Sequence, residues 1–327
     1  MTKPAPIALG IDMGGSYTKI GLVSVDGEIS AFRRIAMTAK GTDAQSFLDE
    51  LSTQGREVRA AALGTLLGIG ISTHGCIGDA RRGPVVCANT PALRGLVENA
   101  FELPVVVNND LTAHALAEYH YGSGRGARRF LCMAIGTGLG AGVVINGDAL
   151  RFVGGNAGDT GRVIAEPGGP PDMYGARGST EALCGIRGVE RLALSYYGQP
   201  VAATDVIRAA RDGTDDRAVR VMRQIGAYLV QALAMLCSIY LPDKVALTGG
   251  TAEAGPVLFE ACCQRFDALV AVYHRAIAES APGFYSGVKI VLGEMRGETG
   301  MVGATVEIFQ TYAGTEFNHR MHDSAYR

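Results

Sequence analysis

Two glycine turns of like construction constrain this chain more than any other feature. The first is Gly10-Ile11-Asp12-Met13-Gly14-Gly15-Ser16-Tyr17-Thr18-Lys19, and the second is Ala134-Ile135-Gly136-Thr137-Gly138-Leu139-Gly140-Ala141-Gly142. Each follows an apolar strand-like run and feeds directly into another. That second run ends at a hairpin dipeptide in both copies, Asp26-Gly27 and then Asn146-Gly147. Strand, glycine turn, strand and tight turn therefore recur about 120 residues apart, the signature of an internal duplication. Two facing hairpins of this kind can grip one polyphosphate, because bare backbone N–H groups suit phosphate oxygens. The pattern points to nucleotide chemistry.

With 327 residues the chain exceeds what one hydrophobic core usually serves, so two domains are expected. An apolar fraction of 47% with 19% charged residues excludes disorder. A formal net charge of −2 without a Lys/Arg-rich run argues against a nucleic-acid partner. The seven cysteines include no C-x-x-C and sit mostly in apolar segments, which reads as buried free thiols in a reducing compartment. The N-terminus enters strand pattern by Ile7 with no signal-peptide architecture. Ile225 to Leu241 carries Gln231 and Ser238 and stops at Pro242, so it reads as a core helix and not a membrane span. A cytoplasmic protein without a membrane partner is expected.

Strands are expected at Ile7–Ile11, Lys19–Ser24, Glu28–Ile35, Gly68–Ser72, Pro104–Val107, Val245–Leu247 and Lys289–Leu292, besides those of the second glycine unit. Helices are expected over Asp43–Leu63, Leu111–Tyr121, much of Thr180–Tyr240, from near Pro256 and from about Met301. Ala88–Gly95 reads as a loop, as does the glycine- and proline-rich region from Arg151 to Gly178, and the tail past Gly314 reads as loose. Hairpin strands followed by strand–helix units in each half suggest two α/β domains around a central cleft.

Several motifs carry chemistry, each with a plainer alternative. Asp12 beside Gly14-Gly15 offers a carboxylate for hydrated Mg²⁺ next to N–H donors for phosphate, but it also fits an ordinary hairpin. Gly136-x-Gly138-x-x-Ala141 matches a dinucleotide fingerprint only superficially, because Ala141–Asn146 is a strand where that motif requires a helix. No G-x-x-x-x-G-K-[ST] is present. Asp110 stands where a strand gives way to a helix, so it is either a helix N-cap or a reactive carboxylate at a strand's C-terminal end. Gly154-Gly155-Asn156-Ala157-Gly158-Asp159-Thr160-Gly161-Arg162 is either a small-ligand loop or a surface loop. Thr248-Gly249-Gly250-Thr251 after a buried strand would admit a flat ring to the backbone.

Together these segments resemble the ROK family (repressors, open reading frames and sugar kinases) within the actin-like ATPase superfamily, from Ile7 to about Phe309. Asp12–Lys19 and Ile135–Gly142 match its two phosphate motifs. Asn109-Asp110 with Ala113, Ala115 and Ala117-Glu118 resembles its N-D-A-N-A-A-x-x-A-E helix start. Gly155-Asn156-Ala157-Gly158 matches G-N-A-G, and Leu247–Glu253 resembles its adenosine-binding segment. The repressor branch carries an N-terminal helix-turn-helix, and nothing of that kind precedes the first strand, which favours the kinase branch.

The resemblance implies two actin-like (ribonuclease H-like) α/β domains, mixed sheets flanked by helices around a central cleft. One would span 1–110 plus the helix at about 301–314 and the other 111–300, with 315–327 as a polar tail. It implies ATP with Mg²⁺, a sugar substrate and a homodimer. By carry-over, Asp110 is the base that accepts the proton of the attacking hydroxyl, the 6-hydroxyl by family default. Asp12 holds Mg²⁺ through water; Gly14, Gly15, Thr18, Lys19, Gly136, Thr137 and Gly138 serve the phosphates; Gly249, Gly250 and Thr251 line the adenosine site. Asn89, Asn109, Asp110, Asn156, Asp159, Arg162 and Glu181 face the sugar. A catalytically silent sugar-responsive regulator, or an enzyme of this fold with another phosphoryl donor, is the rival reading.

The chain departs from the family pattern in one loop. Asp159 replaces a glutamate, Arg162 replaces the histidine that is a usual zinc ligand, and Glu166–Glu181 has no cysteine, so no zinc site is expected. Arg162 either braces the loop by pairing with Asp172 or Glu166, or reaches the substrate. These changes suggest an altered hexose or aminosugar in place of plain glucose.

Overall fold

The computed structural model describes residues 5–14, 17–36, 44–74, 86–87, 90–91, 93–152, 155–295, 297–314 and 317. They group into two compact units. The first comprises the chain up to Gly126, Gly142–Gly158 and the part from Glu294 onward; the second comprises Ala127–Ala141 and Asp159–Gly293.

In the first unit, β1 (Pro6–Met13), β2 (Tyr17–Ser24) and β3 (Ile29–Ala36) form an antiparallel meander, followed by α1 (Ala44–Ala60) and β4 (Thr65–Thr73). A two-stranded ribbon, β5 (Val86–Cys87) with β6 (Thr90–Pro91), precedes α2 (Leu93–Phe101), β7 (Val105–Asn109) and α3 (Asp110–Tyr121). The sheet order is β3-β2-β1-β4-β7, with β4 parallel to β1 and β7 parallel to β4. Alternating Leu9, Ile11, Ile20, Leu22, Ile69 and Ile71 bury against Leu51 and Val58 of α1 and Leu93, Val97 and Phe101 of α2. α2 corrects the loop expected at its start. Leu93, Val97 and Phe101 recur every four residues, but the stretch is short and holds Gly95, so its helical period is easily passed over.

The second sheet starts at β8 (Arg129–Ile135), which the second glycine turn joins to β9 (Leu139–Ile145) and so to β10 (Asp148–Ala149). Asn146 and Gly147 both have positive φ, 53° and 92°, the geometry of a type I′ hairpin turn. The second unit continues with α4 (Thr180–Cys184), α5 (Ile186–Tyr197), α6 (Ala203–Asp212), α7 (Asp216–Tyr240), β11 (Lys244–Thr248), α8 (Pro256–Ser280) and β12 (Lys289–Leu292). The second sheet has the strand order β10-β9-β8-β11-β12, with β11 parallel to β8 and β12 parallel to β11. Both sheets thus place two hairpin strands on one side of the first strand and two parallel strands on the other. The duplication read from the turns is a duplication of topology.

α7 is long and apolar enough to cross a membrane by length and composition, but it buries Val221, Met222, Ile225, Leu229, Val230, Leu233 and Leu236 inside the second unit. Cys132, Cys184, Cys237 and Cys262 are buried free thiols. The first unit closes with α9 (Thr299–Tyr312). Beyond it, Phe317 is 1% exposed, its ring stacked 6.1 Å from Phe309 and 5.1 Å from His120. The part of the tail expected to be loose therefore contains one anchored side chain.

Candidate active site

The first unit brings a row of polar side chains into register across its sheet. Arg34 of β3 pairs with Lys19 of β2, Lys19 with Asp12 of β1, Asp12 with Ser72 of β4, and Ser72 with Asn108 of β7. Partners in register project from the same face, so the row is continuous. Lys19 Nζ lies 2.7 Å from Glu298 and 3.9 Å from Asp12, and it donates to the Gly297 carbonyl at 3.4 Å. Arg34 joins Glu298 at 3.2 Å. Asp12 thus shares Lys19, at the longer distance, with Glu298.

Next along the row, Ser72 Oγ and Asn108 Nδ2 are buried without a hydrogen-bond partner among the described residues. A Cβ on Gly300 would lie 2.6 Å from Asp12 Oδ1 and 3.0 Å from Ser72 Oγ, so only a glycine lets the first turn of α9 sit there. Buried polar atoms are rarely left unpaired, and these mark a place for water beside a carboxylate. Among the described residues no three His, Cys, Asp or Glu side chains cluster as a metal-binding group. A hydrated Mg²⁺ does not require that, since it keeps several waters and takes one or two carboxylates together with substrate phosphates. The hard-oxygen set at Asp12 fits such an ion.

Asp110 opens α3 immediately after β7. The competing role of N-cap falls to Asn109, whose side chain accepts the Leu111 N–H at 3.0 Å. Asp110 Oδ1 accepts the same N–H at 2.9 Å, and the carboxylate is half-buried. Burial pushes its pKa above the ordinary value, His114, the Leu111 N–H and His74 pull it back, and the Asp12 charge raises it again, with a net upward shift. Asn109 is buried, and Thr18 is fully buried on the sheet face opposite Lys19. Asn156 Oδ1 accepts the Gly158 N–H at 3.1 Å. Gly15 and Asn89 lie outside the described residues.

The second unit carries the other glycine turn. Gly136 N–H donates to the Gly138 carbonyl at 2.9 Å, and the Ile186 N–H at the start of α5 donates to the Gly136 carbonyl at 3.0 Å. Gly249, after β11, has φ +86°, and a Cβ there would lie 2.5 Å from the Ile135 carbonyl oxygen. This close approach sets the Thr248–Gly250 bend directly against the end of β8. Gly136 and Gly250 both face open space, and Thr251 is buried with Oγ1 unpartnered among the described residues.

A hub of charge stands beside this turn. Arg162 Nη1 lies 2.6 Å from Asp172 and 2.9 Å from Glu181, Nε lies 3.3 Å from Asp159, and the guanidinium stacks 4.4 Å above Tyr174. Of the two partners weighed for Arg162, Asp172 is the one engaged. The Asp172 side chain is 1% exposed and accepts from the Ser179 hydroxyl at 2.8 Å, Tyr174 N–H at 2.8 Å and Ala176 N–H at 3.0 Å. Burial alone would raise its pKa, but those three donors and Arg162 outweigh it and hold the carboxyl at about 2. Glu181 then reaches from Arg162 to the turn, its Oε2 accepting the Leu139 N–H at 3.3 Å.

Glu298 and Ser72 escape the sequence reading. Glu298 has a weak local signal, an acidic residue between glycines ahead of a helix. Asp172 is among the partners expected for Arg162, but its own donors, Ser179, Tyr174 and Ala176, are set by the fold of the loop.

The chain is similar along most of its length to several other proteins. A glucokinase of Halalkalibacterium halodurans is 30% identical over 284 residues, covering 80% of this chain and 85% of the relative. An N-acetylmannosamine kinase of Escherichia coli is 28% identical, covering 91% and 97%. Among solved structures, a ROK hexokinase from Thermus thermophilus is 28% identical with a TM-score of 0.75, covering 92% of this chain and 97% of that one. A ROK family transcriptional regulator, homologous to the E. coli MLC protein, is 26% identical with a TM-score of 0.81, covering 97% and 81%. The sequence model of the ROK family matches residues 8–309, and the chain belongs to that family.

Proposed function

We propose that this protein is an ATP-dependent sugar kinase that transfers the γ-phosphoryl group of Mg-ATP to a hydroxyl, the 6-hydroxyl in this reading, of a hexose or modified hexose. The observation that carries the proposal is Asp110, a half-buried carboxylate at the end of a parallel strand whose capping duty is done by Asn109. The kinase names of the relatives support it.

Asp110 accepts the proton of the attacking hydroxyl and aims its oxygen. That oxygen bonds to the γ-phosphorus as the bond from phosphorus to the bridging oxygen breaks and ADP departs. The transition state is loose, so Asp110 chiefly positions the nucleophile. Backbone N–H groups of Gly14-Gly15 and Gly136–Gly138 and the Thr137 hydroxyl hold phosphoryl oxygens in fixed orientation. Asp12 would hold Mg²⁺ through water, with Ser72 and Asn108 as partners for those waters, and the ion would neutralise charge on the phosphates. Asp159 and Glu181 accept sugar hydroxyls, and a substrate lacking the one that meets Glu181 would leave a largely buried acceptor unpaired. Gly249, Gly250 and Thr251 line the adenosine site. Buried reduced thiols support a cytoplasmic setting.

ADP formation from Mg-ATP across glucose, mannose, glucosamine and N-acetylmannosamine tests the proposal, with Asp110→Asn alongside. Sugar-dependent turnover that the variant loses is the expected result. Sugar binding without turnover in the wild-type protein would sink it and favour a sugar-responsive regulator, the reading to which the 0.81 TM-score with a regulator lends weight.

A further inference from the structure

Glu181 answers to two partners at once. Its Oε1 is 2.9 Å from Arg162 Nη1, while its Oε2 accepts the Leu139 N–H at 3.3 Å. Oε2 also lies 2.7 Å from where a Cβ on Gly138 would stand, so the carboxylate rests on the turn itself. The Leu139 N–H follows directly on the Gly136–Gly138 turn assigned above to phosphoryl oxygens, and is a further donor of the same turn. A carboxylate oxygen and a phosphoryl oxygen are both anionic acceptors, so they compete for one donor and repel each other.

The geometry also says which contact yields. The Leu139 bond is long for an N–H···O hydrogen bond, and the Arg162 bond is shorter and carries opposite charge. Arg162 cannot readily follow a moving partner. The same Nη1 is held by Asp172, which is itself fastened by Ser179, Tyr174 and Ala176. Glu181 by contrast is a flexible side chain on the first turn of the short helix α4. The anchor is rigid and the arm is not.

We infer that Glu181 couples sugar binding to nucleotide binding. With no sugar bound, its carboxylate covers the Gly136–Leu139 turn and opposes phosphate. Sugar hydroxyls that engage Glu181 against Arg162 draw Oε2 off the turn and release the Leu139 N–H for phosphoryl oxygens. Sugar then tightens nucleotide binding, nucleotide tightens sugar binding by the same factor, and transfer to water in the absence of sugar is suppressed. The inference rests on the kinase reading and adds the means by which the two substrates sense each other.

Calorimetric titration of Mg-AMPPNP into the full chain, with and without the sugar of highest turnover from the same panel, measures the coupling. Glu181→Gln keeps the size of the side chain and removes its charge. In the wild-type protein the sugar should tighten Mg-AMPPNP about tenfold, within the usual span of such couplings. The variant should bind Mg-AMPPNP that tightly with no sugar, gain little more when sugar is added, and release more ADP from Mg-ATP in the absence of sugar. A variant that folds, binds Mg-AMPPNP as weakly as wild type without sugar, or keeps the full coupling, overturns the inference while leaving the kinase reading intact. Wild-type protein with no sugar-dependent turnover overturns both.

Discussion

The two glycine hairpins share a backbone device and differ in how their charge is arranged. The β1–β2 hairpin carries Asp12 and Lys19 on its own strands, directly opposite each other, yet Lys19 leans away to Glu298, and next along the row Ser72 Oγ and Asn108 Nδ2 lack partners among the described residues. The β8–β9 hairpin has no charge in its turn and borrows one, Glu181, from a short helix held by Arg162 and Asp172. In the first, polar atoms beside a carboxylate lack partners among the described residues. In the second, Glu181 and Asp172 are both drawn to Arg162. Duplicated topology therefore does not mean duplicated charge. A turn of bare N–H groups is generic, and the charges brought to it decide its task.

The largest test of that contrast is Asp110→Asn. It should lower kcat by about 10²–10⁴, the usual worth of a positioned base, with the thermal midpoint little changed. Gly138→Ala, whose Cβ would stand 2.7 Å from Glu181 Oε2, should lower kcat less; a loss of similar size would break the comparison, because the second hairpin would then matter to turnover as much as the base does. Next comes Asp172→Ala, which strips a buried partner from Arg162 and should cost about 3–5 kcal/mol of unfolding free energy by urea titration. Asp12→Ala, removing a carboxylate whose cation Lys19 sits 3.9 Å away and stays paired with Glu298, should cost far less. Equal costs would erase the distinction.

Acid stability sharpens the same point. The Asp172 carboxyl titrates at about 2 in the folded protein, below its ordinary value of 3.8, so the folded state favours the ionised form. That stabilisation is complete above roughly pH 5 and is lost as pH falls toward about 2, since the unfolded chain takes up the proton first. Asp172→Asn should flatten this limb of the stability curve, and an unchanged limb would deny the hub its role. The smallest effect belongs to the first unit. Asp12→Asn removes a charge that raises the Asp110 pKa, so the acid limb of kcat should move to lower pH by a fraction of a unit. Movement to higher pH would mean that Asp12 acts on Asp110 in some other way.

Much of this was legible along the chain because it is local. Asn146-Gly147 demands a hairpin from its own backbone preferences, and β-branched runs between glycines declare strands. Asp110 could be placed at a strand-to-helix junction, but the choice between cap and base could not be made there. In the structure the Asn109 and Asp110 side chains both accept the Leu111 N–H, at 3.0 and 2.9 Å, a sharing that the spacing of residues does not announce. α2 was missed because its three apolar residues announce a helix only once Ile20, Ile69 and Val105 give them something to bury against. Phe317 was missed for the same reason: it stands in a polar stretch of sequence, and its burial depends on Phe309 and His120, which are distant along the chain or on another helix.

The sequence by itself determined the doubled β-hairpin plan, the order of strands and helices after each hairpin, and the carboxylates available for chemistry. Those follow from φ/ψ preference and side-chain period, which act over a few residues. Tertiary structure alone decided which charge meets which. Lys19 finds its acceptors at 297 and 298, and Leu139 receives a carboxylate from position 181. Electrostatic pairing depends on distance in space and on burial, and neither is written in the spacing of residues along the chain.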